Sequence, residues 1–283
     1  MAVSPFLIFG WGVPAMGIAG SAAGFAIAQV VGVGMTMYAL IGPHSRFKLK
    51  LRNPKPDWPM LWRMVRLGAP ASVTSGERSL AQLLLIGIVA PFGDFPIAAY
   101  AVIQRLQSFV NLAQDGVAQA AGVLANQNIG AGRVDRARTT VHWAIGYTAM
   151  MTTILGVTLF FFPEPVLRIF TRDEGLVAAA VPWVRIMTMG FLFMGIGDVL
   201  MYVMNTSGDT LVPMAISLST VWLVQQPLAL VLSGRTASWA PFGLDLPTVE
   251  GLADLGVAWA MVLALVVRLC LYLPYFKIGR AHV

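Results

Sequence analysis

Apolar residues in this chain come in long runs separated by short polar breaks, and that rhythm predicts helices that cross a bilayer. Seven runs, at 15–40, 60–90, 97–124, 141–162, 176–204, 211–232 and 256–276, are each close to or above the roughly 20 residues a helical span needs. The runs at 141–162 and 211–232 contain no Lys, Arg, Asp or Glu. Alternation with a period of two is missing, so the pattern excludes the strands of an outer-membrane barrel.

The break after the third run is the most informative. Asn126-Gln127-Asn128-Ile129-Gly130-Ala131-Gly132-Arg133-Val134-Asp135-Arg136-Ala137 is polar, basic and glycine-bearing. Hydrocarbon cannot hold such a segment, so it reads as a short water-facing loop between two membrane helices. Arg133, Arg136 and Arg138 place it in the cytoplasm. Gly-Ala-Gly-Arg is too short for a phosphate-binding loop and lacks its lysine. It reads as a helix C-cap glycine, with Asp135 starting the next helix.

Charge and composition sharpen this picture. Only 11% of residues are charged and 57% are hydrophobic, with a mean hydropathy of +0.74, whereas soluble domains carry about 25% charged residues. A net charge of +6 and a pI of 9.8 would suit a nucleic-acid binder. The distribution argues against nucleic acid: Arg46, Lys48, Lys50, Arg52, Lys55, Arg63 and Arg66 cluster after the first run, the asymmetry of cytoplasmic membrane loops. Cys270 is the single cysteine, and His44, His142 and His282 are scattered, so no metal site is expected. No nucleophile, zinc or nucleotide signature is present, and the chain is not expected to be an enzyme.

The loop has companions. Ala98-Ala99-Tyr100, Arg105, Phe109, Gly116, Ala120-Ala121 and Leu124 precede it, leading into Gln127, Gly130, Gly132 and Arg133. Leu67-Gly68-Ala69-Pro70, Gly93 and the turn Asn205-Thr206-Ser207-Gly208-Asp209-Thr210 lie in order around them. Together these resemble multidrug and toxic compound extrusion (MATE) transporters over residues 4–277. The resemblance implies an all-α integral membrane protein built of two six-helix lobes. Gly17-Ile18-Ala19-Gly20-Ser21-Ala22 is echoed by Gly256-Val257-Ala258-Trp259-Ala260-Met261, as expected of helices six and twelve closing related lobes. The chain then holds the end of an N-terminal lobe (1–42), a cytoplasmic basic, proline-rich linker (43–59) and a C-terminal six-helix lobe (60–277). On this reading Met1 is an internal or spurious start, and the N-terminal lobe of the same protein is a missing partner. Ile278-Gly279-Arg280-Ala281-His282-Val283 matches the translation of a common sequencing-library adapter and is expected to be an artefact.

The resemblance further implies cation-coupled (H+ or Na+) antiport by alternating access, with no cofactor beyond the ion. The substrates would be drug-like, cationic or amphipathic small molecules, and the setting the inner (plasma) membrane, with lipid around the protein. Two other readings are a lipid-linked oligosaccharide flippase of the same superfamily, which would carry an arginine-lined cavity, and a non-transporting membrane scaffold.

An ionisable residue at a span centre costs roughly 2.5–3.5 kcal/mol on insertion scales, so each such residue is a functional candidate. Glu77 lies eleven residues beyond Arg66, about 16 Å along a helix and near mid-membrane. Glu77 and Asp198 are the ion-coupling candidates, since sodium-coupled MATE members carry acids on the corresponding helices, though at slightly different positions. Arg105, on the neighbouring antiparallel helix, is the expected charge partner of Glu77, with Arg78 the second candidate. That pair reads equally as a static brace or as part of an ion site. Gln104, Tyr100, Asp115 and Gln225 are the cavity-lining candidates, with Asp115 expected to accept a hydrogen bond. Phe109, Trp222 and Met201 could offer a cation aromatic and soft apolar surface.

Overall fold

A computed structural model describes residues 6–8, 10, 16–41, 56–234 and 252–276. The expectations placed on Met1, on most of the basic linker and on the tail at 278–283 lie outside the described residues. Those residues fold as α1 (Gly17–Ile41), α2 (Trp58–Val89), α3 (Asp94–Gly130), α4 (Val134–Phe161), α5 (Pro163–Phe170), α6 (Glu174–Thr206), α7 (Leu211–Ser219), α8 (Gln226–Leu232) and α9 (Leu255–Tyr275), with no strand among them. A single 3-10 turn, Ala90–Phe92, follows α2. A π-helical turn, Thr220–Gln225, joins α7 to α8 in one continuous span.

Six of the seven apolar runs become helices long and apolar enough to cross a membrane. The run at 97–124 lies within α3, which at 37 residues is the longest of these helices. Gln104, Arg105, Gln107, Asn111, Gln114 and Asp115 make α3 more polar than its neighbours. Its length, about 55 Å at a helical rise, still exceeds the thickness of a bilayer. The architecture is therefore that of an all-α integral membrane protein with about seven membrane helices.

The chain divides into two compact units at Trp58–Pro59. In the first, α1 is apolar all round and buries only Gly20 and Gly24. The second is a lobe organised around α6. Its 33 residues are apolar on nearly every face, and 72% of its 18-residue apolar stretch is buried, the signature of a helix surrounded by others. Asp173 caps its start, accepting from the N–H groups of Gly175 and Leu176 at 2.8 and 3.2 Å. Helices α3, α4 and α9 pack against it.

Lipid tails are as apolar as leucine, so shape and interhelical hydrogen bonds hold membrane helices together more than exclusion of water does. Gly195 shows the shape component. A Cβ there would lie 2.7 Å from the Thr148 methyl of α4 and 3.4 Å from the Gln114 amide of α3, so glycine sets the spacing of three helices. Trp183 shows the polar component. It is fully buried, its ring meets Tyr100 edge-on at 6.0 Å, and its indole N–H donates to Asp254 Oδ2 at 2.8 Å, linking α6 to the start of α9. Helix α2 offers a single stripe, Glu77, Ala81, Leu85 and Ile88–Val89, at helical spacing. Most of its remaining surface is exposed.

Gly195→Leu should lower the melting temperature of the purified protein sharply, since overpacking of this kind costs about 1–3 kcal/mol or more. Gly146→Leu, at an exposed site with open space around it, should leave it nearly unchanged. Fluorescence-detected thermal unfolding in detergent checks the pair; equal shifts would contradict the packing described.

Candidate functional site: a polar cavity walled by glutamines

The buried stripe of α2 begins with a carboxylate. Glu77 is 6% exposed, and its Oε2 accepts a hydrogen bond from Ser217 Oγ of α7 at 2.9 Å. Its Oε1 is buried without a hydrogen-bond partner. One turn further along α2, the Ala81 carbonyl accepts from Gln226 Nε2 at 3.2 Å. The π-helical turn lies just before that glutamine, and Thr220 Oγ1 within it donates to the Ile216 carbonyl. Such turns recur at functional sites. Here the turn ends with Gln225 on a cavity and Gln226 against α2.

The second acid is held differently. Asp198 Oδ1 on α6 accepts from Arg268 Nη2 on α9 at 3.1 Å, with both side chains mostly buried. Pairing offsets part of the penalty that either charge would face alone in hydrocarbon.

Glu77, Ser217, Gln225 and Arg268 border a cavity of about 120 Å³. Four carboxamides line it: Gln82 from α2, Gln104 and Gln107 from α3, and Gln225. Glu77, Arg78, Ser217 and Arg268 supply the remaining polar surface. Arg78 is exposed and makes no ion pair among the described residues. Glu77, Arg78, Gln104 and Gln225 thus converge as a site, and Asp198 reaches it through Arg268.

Other expectations are corrected. Arg105 does not pair with Glu77: it is exposed, because it follows Gln104 by one residue and points about 100° away from the cavity. Tyr100 does not line the cavity. It is buried against Trp183, and its hydroxyl accepts from Gln104 Nε2 at 2.7 Å, so it braces the glutamine from behind. Asp115 is half-buried and accepts no hydrogen bond from the described residues. Phe109 is 65% exposed and packs on Phe170, while Met201 belongs to a buried apolar cluster. Neither reaches the cavity, and no aromatic side chain of the described residues lines it. Ser217, Gln82, Gln107 and the role of Arg268 were not singled out by sequence. Ser217 lies 140 residues from its partner and Arg268 lies 70 from its own, distances over which no local pattern operates.

The loop motif serves a different purpose. Helix α3 continues through Gln127 to Gly130 instead of ending at Asn126. Gly132 then takes a φ of 72°, and the Arg133 N–H bonds the Asn128 carbonyl at 2.8 Å, a Schellman-type helix end that favours glycine. Asp135 sits in the first turn of α4. Asn126 donates to Thr206 Oγ1 at 2.7 Å and accepts from Ser207 Oγ at 2.9 Å. This joins the loop motif to the turn at 205–210, two pieces that sequence had linked only by order.

The MatE family model matches residues 70–231, more than half of the chain. The chain belongs to the MATE family. It is 29% identical over 240 residues to the "Probable multidrug resistance protein YoeA" of Bacillus subtilis, covering 83% of this chain and 52% of that protein. It is 25% identical over 227 residues to the "Probable multidrug resistance protein NorM" of Thermotoga maritima, covering 80% and 49%. The chain therefore spans about half the length of these curated relatives. Its fold superposes on the outward-facing conformation of a multidrug resistance MATE transporter with a TM-score of 0.82, covering 97% of this chain and 58% of that one at 17% identity. That likeness bears on the fold alone. The six apolar spans and this membership make the protein an integral membrane protein.

Within this MATE lobe, Asp198→Asn or Arg268→Gln alone should each destabilise by about 3–5 kcal/mol, because each strands a buried charge. The double variant should recover much of that loss. A thermal-unfolding double-mutant cycle measures the coupling, and additive losses would show the pair to be incidental.

Proposed function

We propose that this chain supplies one lobe of a cation-coupled MATE antiporter of the inner (plasma) membrane, exchanging H+ or Na+ for organic compounds by alternating access. The observation that carries the reading is Glu77 Oε1: a buried carboxylate oxygen without a partner, at the edge of a polar cavity. Such an oxygen in a membrane lobe calls for a proton or a cation. Glu77 Oε2 is fixed by Ser217, so the free oxygen is oriented while α2 and α7 are held together. An ion or proton arriving at Oε1 cancels the charge that Ser217 stabilises. It thereby changes both the contact between α2 and α7 and the charge of the cavity. Exchange follows if ion and substrate occupy the cavity in turn. The Asp198–Arg268 pair, already neutral, braces Arg268 at the cavity edge. A pathway of this kind runs between two lobes, and this chain matches about half of its relatives' length.

Two outcomes follow. In a protein carrying both lobes, Glu77→Gln should cut ion-driven efflux by about tenfold or more, equivalent to roughly 1.4 kcal/mol on a barrier, while membrane yield stays near wild type. Efflux at the wild-type rate would remove Glu77 from the coupling site. Expressed alone in a pump-deficient host, the 283-residue chain should confer no drug resistance above the empty vector. Robust resistance would overturn the two-lobe account.

A further inference from the structure

We propose that the cavity of this lobe selects planar, hydrogen-bond-rich compounds bearing a carboxylate or phosphate, in preference to lipophilic cations. The proposal rests on reading the cavity as a substrate site. The charge balance comes first. Arg268 is neutralised by Asp198, and Arg78 has no ion-pair partner among the described residues. Glu77, the one carboxylate among the described residues lining the cavity, is already hydrogen-bonded to Ser217. With a proton or cation on Glu77 the site carries net positive charge, and without one it is balanced. Among the described residues of this lobe, a lipophilic cation therefore meets no net negative charge. It also meets no aromatic face from the described residues in the cavity lining, so none of them gives the stabilisation such faces offer to cations.

The same lining suits the opposite chemistry. A guanidinium presents a planar fork that fits carboxylate and phosphate oxygens in a two-pronged arrangement. Together the four carboxamides offer donors and acceptors side by side, which matches the alternating edge of an imide or amide ring. Gln104 is oriented for this: its Nε2 is committed to the Tyr100 hydroxyl, leaving its carbonyl oxygen to accept. Leu85, Val221 and Met261 supply the apolar walls against which a flat ring lies. A volume of about 120 Å³ admits one substituted ring on this lobe's side.

Isothermal titration of the purified chain in lipid nanodiscs tests this with three probes of similar size: orotate (a carboxylate with an imide), uracil (the imide alone) and trimethylphenylammonium (a cation). Orotate should bind about tenfold tighter than uracil, the margin of one charge-assisted pair, and the cation weaker than uracil. Arg78→Gln should reduce the preference for orotate over uracil to about twofold. Arg78→Lys, which keeps charge but loses the fork, should retain an intermediate preference and guards against a fold defect in the glutamine variant. Tightest binding by the cation, a preference for orotate unmoved by both variants, or no binding by any probe would overturn the proposal. Sodium and pH titrations of the unmodified chain keep the two readings apart. Loss of the probe order with an intact ion response defeats this proposal alone; an intact order with no ion response defeats the coupling reading alone.

Discussion

A polar side chain inside a bilayer must be satisfied by the protein itself, and this lobe depends on how that demand is met. Water is not at hand, and each unsatisfied group costs several kcal/mol. The bonds that meet the demand reach far along the chain. Asp198 meets Arg268, Ser217 meets Glu77, Gln226 meets the Ala81 carbonyl and Trp183 meets Asp254. They tie α6 to α9 and α2 to α7 and α8, the helix pairs that loops alone would leave free to slide.

The candidate site consists of what those bonds leave over. Glu77 spends one oxygen on Ser217 and keeps the other; Gln104 spends its amide nitrogen on Tyr100 and keeps its carbonyl. Each group is half committed to the fold, which fixes its direction, and half available, which gives it chemistry. Orientation by a neighbouring element is what preorganises a site in a scaffold. The π-helical turn contributes in the same way, since the two adjacent glutamines at its end divide these duties: Gln226 binds α2 and Gln225 lines the cavity.

Far from the cavity in sequence, Asn126 does for the loop region what Asp198 does for the lobe's interior. Its amide donates to Thr206 and its carbonyl accepts from Ser207, pinning the end of α3 to the end of α6. The loop motif is therefore a joint as well as a helix stop. Gly122, four residues earlier, lets the two helices approach, since a Cβ there would stand 2.7 Å from Thr206 Oγ1.

The sequence by itself determined the all-α membrane character and the approximate number of spans. Length and apolarity decide whether a segment crosses a bilayer, and both are local properties. The same holds for the glycine stop at Gly132 and the family to which the chain belongs. Sequence also pointed to Gln104 and Gln225, because an amide in an apolar span invites a role. Which groups meet was decided only by tertiary structure. Arg105 and Gln104 are adjacent in the chain, yet one is exposed and the other lines the cavity, since the facing of α3 is set by its packing against α6. Arg268 and Ser217 became partners of the two acids through contacts 70 and 140 residues apart. Helix periodicity fixes which residues share a face; only packing fixes what that face looks upon.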